Sequence, residues 1–177
     1  MEIEVAAAAL EEKAALLNLA KMYCYEWSQY NKLGVDAKGE YAFERHIPKF
    51  WEKPRHHPYL VRADGELAGF VLVDDDFDLY PDYDHAMSEF FVMHKFRRAG
   101  AGRRAAHAVF RLLPGSWEIK THPANTTSIA FWESVVGEYA KGDYVEVVAC
   151  PKAAYADGSL GTVISFTAPD TTKIVFQ

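Results

Sequence analysis

The segment 90–104 contains the residue types best suited to chemistry in this chain. An apolar run leads into a basic turn that has glycines at Gly100 and Gly102, and an amphipathic segment follows at once. Glycine lets the backbone turn tightly and approach a ligand closely. A helix that begins there adds unsatisfied N–H groups and the positive end of its dipole. The turn is therefore predicted to bind a phosphate or diphosphate group.

The positive charge at this turn is local. The whole chain has a net charge of -6, yet arginines crowd the turn at Arg97, Arg98, Arg103 and Arg104. Net acidity argues against nucleic acid as a partner, because binding to nucleic-acid phosphates needs a broad basic face. The expected ligand is a phosphorylated small molecule.

The elements that must position this turn follow from periodicity and breaking residues. A strand, two helices, a hairpin around Asp64-Gly65 and a further strand are predicted before the turn. A helix, a strand, a second helix capped by Asn125 and two last strands are predicted after it. The order is β-α-α-β-β-β-α-β-α-β-β. Its predicted elements are 3–6, 7–30, 41–51, 59–63, 67–73, 86–93, 105–113, 116–121, a helix after 125, 144–150 and 162–166.

Two nucleotide-binding signatures match the same segment, around Gly100 and Gly102. The spacing Gly100-x-Gly102-x-x-Ala105 fits a dinucleotide fingerprint, with Glu118 as a ribose-binding acid. The spacing Arg97-x-x-Gly100-x-Gly102 resembles the loop signature of the GCN5-related N-acetyltransferases, the GNAT superfamily. A dinucleotide fold places its glycine turn after the first strand. Here the turn follows the fourth, so the element order favours the second resemblance.

A second motif supports that resemblance. In the GNAT superfamily, the helix after the fifth strand often begins Asn-x-x-Ala-x-x-Phe-Tyr. This chain has Asn125-x-x-Ser128-x-x-Phe131-Trp132 at the same spacing. The resemblance implies an α/β (α+β) acyl-coenzyme A N-acyltransferase fold with a mixed central sheet, formed by residues 1–177 as a single N-acetyltransferase domain.

The resemblance also implies a co-substrate, acetyl-coenzyme A (acetyl-CoA), and direct transfer to a primary amine of a small molecule or peptide. Backbone groups of the turn would hold the pyrophosphate, and a strand that splays from its neighbour would offer backbone groups to the pantetheine arm. The residues expected to bind the cofactor are Phe91, Val92, Met93, Arg97, Arg98, Ala99, Gly100, Ala101, Gly102, Arg103, Asn125 and Trp132.

Glu89 is the candidate catalytic residue. It interrupts an apolar strand just before the turn, and an amine must lose a proton to become a nucleophile. A carboxylate in a partly buried strand can have its pKa raised towards the working range. His94, His122 and an ordered water are the alternative bases. Trp132 stands where the family usually has a tyrosine acid, and an indole cannot supply that proton. Either the thiolate leaves without an acid, or Tyr139 or a water takes that role.

The composition of the chain excludes several classes of protein. The chain has 177 residues, 50% of them hydrophobic, and only two cysteines, which excludes disorder and a disulfide framework. No apolar run has membrane-spanning length, and the acidic start is unlike a signal peptide, so a cytoplasmic protein without membrane contact is expected. No metal site is expected, because the histidines are scattered. A homodimer is left open.

The aspartate-rich segment 74–84 has two interpretations. Its spacing departs from a calcium loop at Leu79, where glycine is required, and at His85, where a glutamate is required. It is either a solvated loop or a surface that attracts a cationic acceptor. A rival to the enzyme as a whole is an acyl-CoA-binding regulatory protein or an inactive homologue that transfers nothing.

Overall fold

The computed structural model describes residues 1–32 and 34–170. Its strands are β1 (Ile3–Ala7), β2 (His57–Ala63), β3 (Glu66–Asp74), β4 (His85–Val92), β5 (Gly115–Thr121), β6 (Tyr144–Val147) and β7 (Thr162–Ala168). Its α-helices are α1 (Lys13–Asn31), α2 (Ala101–Leu112) and α3 (Thr126–Tyr139). Short 3-10 helices cover Leu10–Glu12, Ala42–Arg45, Ile47–Trp51, His94–Phe96 and Pro151–Ala153.

The strands form one mixed seven-stranded sheet in the order β1-β2-β3-β4-β5-β7-β6. The pairs β1–β2, β2–β3, β5–β7 and β6–β7 are antiparallel. Strands β4 and β5 are parallel, and their pairing joins His85–Met87 to Trp117–Ile119. The predicted fold class and the order of the strands are therefore confirmed.

The chain divides into two compact units, Met1–Asp74 with Glu89–Gly102, and Asp75–Ser88 with Arg103–Gln177. The core of the first unit is aliphatic and aromatic, and includes Leu16, Ile47, Leu60, Phe70 and Leu72. In the second unit Phe110 packs edge-on against Trp117 and Phe166, with ring centroids 5.1 and 4.8 Å away. No helix in the described part of the chain has the length and apolar character to cross a membrane.

The first helix begins later than its alanine-rich sequence predicts. Ala7 pairs with Tyr59 in the sheet, and α1 begins at Lys13 after a 3-10 turn. Strand pairing therefore overrides the helix propensity of the alanines. The helix also ends before Gly34: Asn31 is its last residue, and Lys32 takes the left-handed conformation with φ 55°. The predicted bounds of this helix were wrong at its start.

The second predicted helix, 41–51, was also wrong. The segment forms two 3-10 helices, Ala42–Arg45 and Ile47–Trp51, with Pro48 in the first turn of the second. Proline has no N–H for the carbonyl four residues earlier, and its ring clashes with that carbonyl.

Strand β6 is shorter than the predicted range 144–150, since it ends at Val147. The Cys150 N–H instead donates to the Gly161 carbonyl in a loop connection.

The hairpin between β2 and β3 has the predicted turn. Asp64 and Gly65 both have positive φ, 49° and 81°, as a tight two-residue turn requires. Further along β3, Gly69 permits a close backbone approach. A Cβ atom at Gly69 would lie 1.9 Å from the carbonyl oxygen of Phe91 in β4. Only glycine fits there without displacing β4.

Replacing Gly69 with alanine should therefore lower the free energy of unfolding by roughly 1–3 kcal/mol, the usual cost of an overpacked site. The control is Gly137→Ala in α3, where the added Cβ would meet Tyr144 at an ordinary 3.6 Å. Urea denaturation followed by circular dichroism measures both variants. Equal stability of Gly69→Ala and the wild type would contradict the close approach.

Candidate active site

The predicted phosphate-binding turn is an exposed loop that leads directly into α2. After the short 3-10 helix His94–Phe96, Arg98 and Gly100 adopt positive φ angles of 60° and 81°. Residues 98–100 are exposed, and the 12-residue α2 begins at Ala101. Left-handed residues at the start of a helix turn successive N–H groups towards one concave surface, which is an arrangement that binds anions. That the loop binds a pyrophosphate group stays a prediction.

The two loop glycines differ in backbone conformation. Gly100 has a left-handed φ of 81°, which a side chain would strain. Gly102 belongs to α2 and has no positive φ. Backbone conformation therefore does not by itself require glycine at this position.

The Arg97 side chain is engaged inside the protein. Its Nε donates to the Val92 carbonyl at 2.5 Å, and its terminal nitrogen donates to Glu26 Oε2 at 2.6 Å. The guanidinium also lies 5.6 Å from the centroid of the Phe91 ring. Arg97 thus joins α1 to the end of β4. Its predicted contact with phosphate would have to compete with these partners.

Arg103 and the backbone N–H of Met93 also have hydrogen-bond partners within the protein. Arg103 donates to Glu138 Oε2 at 2.5 Å and to Ser134 Oγ at 3.1 Å, both in α3. The Met93 N–H donates to the Ala68 carbonyl at 2.8 Å. The β4–β5 pairing covers only His85–Met87, upstream of the segment expected to contact pantetheine. That contact stays a prediction.

Glu89 is half-buried in β4 among aromatic rings of the first unit. The Tyr23 hydroxyl, from α1, donates a hydrogen bond to Glu89 Oε2. Burial is the main cause that raises the Glu89 pKa, and the negative charge of Asp74 adds to it. The Tyr23 hydrogen bond and Lys49 oppose the rise, and the pKa that results from all four is about 8. A carboxyl group with a pKa near neutrality can both accept and release a proton at the working pH.

The alternative bases occupy less suitable environments. The His94 side chain is 79% exposed, and its Nε2 lies 2.9 Å from Glu26 Oε1. His122 is buried, and its Nδ1 accepts the Ala124 N–H at 3.2 Å. The neutral His122 ring therefore has its proton on Nε2, which faces Asp157 and Ser159. Neither arrangement presents a lone pair as a free acceptor.

Asn125 and Trp132 have structural roles in α3. Asn125 caps this helix, and its Oδ1 accepts the Ser128 N–H at 3.0 Å. Trp132 is buried beside Phe110, with ring centroids 6.5 Å apart. Tyr139, the suggested substitute acid, packs on Phe110 too, and burial raises its pKa. The cofactor contacts of Asn125 and Trp132 stay predictions.

The aspartate-rich segment is an anchored loop, which the sequence did not indicate. The buried carboxylate of Glu118 accepts N–H groups from Asp78 at 2.7 Å, Leu79 at 3.2 Å and Tyr80 at 2.9 Å. Lys120 pairs with Asp78 at 2.8 Å. The only sequence signal was a glutamate between two apolar strand residues. The Glu118 carboxylate therefore anchors this loop.

Tyr23 and Glu26 lie near the candidate base, and neither was predicted from the sequence as a site residue. Both lie in α1, where Tyr23 continues the buried face that includes Leu16, Leu19 and Ala20. A tyrosine at helical spacing is typical of a core position, so the pattern gave no sign of a contact with β4. In the part of the chain that the structure describes, no group of three or more His, Cys, Asp or Glu side chains could hold a metal ion.

The Acetyltransferase (GNAT) family model matches residues 16–137. The chain therefore belongs to the GNAT acetyltransferase family. Its fold is similar to that of several solved acetyltransferases. Ard1 from Thermoplasma volcanium has a TM-score of 0.65 at 15% identity, over 96% of this chain and 99% of that one.

Two further structures show the same fold. The ribosomal-protein-S18-alanine N-acetyltransferase from Escherichia coli has a TM-score of 0.58 at 14% identity, covering 99% of this chain and 100% of that one. The PaiA N-acetyltransferase from Thermoplasma acidophilum, solved in complex with coenzyme A, has a TM-score of 0.61 at 12% identity, covering 94% and 99%. A sequence comparison with curated proteins found no significant match.

Gly102→Ala should change stability and coenzyme A affinity in opposite directions. Alanine favours a helix over glycine by roughly 0.5–1 kcal/mol, so the melting temperature should stay level or rise. The added Cβ would crowd the phosphate, so the coenzyme A dissociation constant measured by calorimetry should increase. Gly137→Ala in α3 is the control and should leave affinity unchanged. Unaltered affinity in Gly102→Ala would exclude close approach at this glycine.

Glu89→Gln should stabilise the protein increasingly as the pH rises. The folded-state pKa of Glu89, about 8, lies above its ordinary value of 4.5, so the unfolded chain ionises first. The contribution of Glu89 to the free energy of unfolding of the wild type is fully present below pH 4.5 and is lost as the pH rises towards 8. The advantage of glutamine should grow across this window by up to about 1.4 kcal/mol per pH unit.

Denaturant unfolding of both proteins at several pH values measures this difference. Glu66→Gln, at an exposed glutamate paired with Lys95, reports changes common to any lost surface charge. A difference between Glu89→Gln and wild type that is constant with pH would be incompatible with the raised pKa.

Proposed function

We propose that this protein is an acetyl-CoA-dependent N-acetyltransferase, acting as a single domain over residues 1–177. The acceptor is a primary amine of a small molecule or peptide, which attacks the thioester directly. One observation carries the proposal: β4 bears a half-buried glutamate with a pKa of about 8, and the same strand leads into the exposed glycine loop. Membership of the GNAT family supports it.

The cofactor loop has a binding role in this proposal. Backbone N–H groups of residues 98–103 hold the pyrophosphate, helped by the N-terminal end of α2. Arg97 acts indirectly, since its bonds to Val92 and Glu26 maintain the end of β4 from which the loop departs. Acetyl-CoA supplies an activated acetyl thioester.

Glu89 has the role of general base. An amine reaches the site largely protonated and cannot attack in that form. Glu89 accepts one proton of the ammonium. The amine nitrogen then forms a bond to the acetyl carbon as the bond to sulfur breaks, and the second excess proton on nitrogen passes to the departing thiolate or to solvent. The departing thiol has a pKa of about 8.5 if it resembles cysteine, so it can leave as a thiolate. This removes the need for an acid at the position of Trp132.

The function can be tested by measuring acetyl transfer from acetyl-CoA to pools of amines. The pools should include polyamines, aminoglycosides, amino acids and peptides, because the family resemblance leaves the acceptor open. Coenzyme A binding is measured in parallel. Binding without transfer to any pool would favour the rival, a regulatory or inactive acyl-CoA-binding protein. No coenzyme A binding would refute the loop assignment.

Once an acceptor is known, Glu89→Gln should lower kcat by about two to four orders of magnitude, the usual effect of losing a general base. Coenzyme A affinity should change little, because Glu89 lies outside the loop. The wild-type rate should rise with pH towards a plateau above pH 8, since only the ionised carboxylate accepts a proton. Glu66→Gln is the matched control. A near-normal rate for Glu89→Gln would transfer the role to a water or a histidine.

A further inference from the structure

We infer that Tyr23 is a positioning residue for Glu89, which orients the carboxylate and fixes the oxygen that receives the acceptor's proton. The inference rests on the proposed function, because it assigns Tyr23 a role towards the base of that reaction. Its first support is direct contact. The Tyr23 hydroxyl on α1 donates a hydrogen bond to Glu89 Oε2 on β4.

The Tyr23 ring is held by aromatic neighbours. Ring centroids of Trp27, Phe43, Phe70 and Phe91 lie 6.3, 5.9, 5.8 and 6.1 Å from that of Tyr23. Two of these contacts, with Phe70 and Phe91, are edge-to-face. Rings packed from α1, β3, β4 and the segment 42–45 leave the side chain little rotational freedom. The hydroxyl is therefore presented in one direction.

The helix that carries Tyr23 is also fixed relative to β4. Glu26, three residues further along α1, accepts from Arg97 at 2.6 Å and lies 2.9 Å from His94. Arg97 in turn donates to the Val92 carbonyl at the end of β4. Side chains three residues apart lie on one face of a helix. Tyr23 and Glu26 thus contact β4 and the segment directly after it from the same face of α1.

This arrangement has a consequence for proton transfer. A hydroxyl that donates to one oxygen of a carboxylate stabilises the ionised form and restricts rotation of the group. With Oε2 engaged by Tyr23, Oε1 is the oxygen assigned to the acceptor's proton. The other charged groups acting on Glu89 are Asp74 of β3 and Lys49 of the segment 47–51. Asp74 raises the Glu89 pKa and Lys49 lowers it.

The test is Tyr23→Phe, which keeps the ring packing and removes only the donor. Tyr25→Phe, on the same helix but 73% exposed, is the control. Losing the donor should raise the Glu89 pKa by about one unit, so kcat/KM at pH 7 should fall about tenfold and its acid limb should move to higher pH. KM for acetyl-CoA should stay the same, and Tyr25→Phe should match the wild type.

A titration by ¹³C NMR of glutamate-labelled protein separates this inference from the proposed function. The Glu89 carboxyl signal is the one missing in Glu89→Gln, and its midpoint should move upward in Tyr23→Phe. An unchanged midpoint overturns the positioning role whatever the activity. If the titration midpoint of Glu89 rises while the acid limb of the kcat/KM profile stays in place, the link to catalysis is overturned. Absence of transfer by the wild type would refute the proposed function, while the titration would still decide the contact.

Discussion

Burial of one carboxyl group, Glu89, is the constraint around which the first unit is organised. An ionised carboxylate loses hydration in a strand packed by aromatic rings, and this raises its pKa to about 8. The cost is moderated by the Tyr23 hydroxyl, which must reach the carboxylate from α1. That demand explains why α1 is tied to β4 at Tyr23 and, through Glu26 and Arg97, at the end of the same strand.

The second unit buries a glutamate for a different purpose. Glu118 accepts N–H groups from Asp78, Leu79 and Tyr80, and these bonds hold the loop between β3 and β4. Glu89 accepts a hydroxyl from Tyr23. The Glu118 carboxylate, which accepts several backbone N–H groups, acts as a structural anchor. The Glu89 carboxylate instead accepts one side-chain hydroxyl, from a tyrosine whose ring is packed in place. The two strand glutamates are distinguished by their partners.

A residue of the loop signature can match the family motif and still have its side chain bonded elsewhere in the protein. Arg97 has the residue type of the family motif, yet its guanidinium bonds to Val92 and Glu26 and stacks near Phe91. Gly100, in contrast, shapes the path of the loop itself, because it takes a left-handed φ that other residues adopt at a cost. Phosphate recognition by backbone groups needs only the path of the chain, whereas a side chain can be used elsewhere.

The local features of the fold follow from short stretches of sequence. The Asp64-Gly65 turn, the Asn125 cap and the apolar strands of the sheet depend on neighbouring residues, so their patterns were sufficient to predict them. The order of these elements around the glycine turn was enough to indicate the family. The start of α1 and the segment 41–51 were misjudged, because sheet pairing at Ala7 and the ring of Pro48 outweigh helical periodicity.

Contacts between distant side chains, in contrast, depend on how the elements pack together. Tyr23 and Glu89 are 66 residues apart in the chain, and Glu118 and Asp78 are 40 apart. Such pairs leave no periodic signal, since each residue fits its own element equally well with another partner. The pKa of Glu89 likewise depends on the tertiary structure, because desolvation is set by what the fold packs around the carboxyl group rather than by its neighbours in sequence.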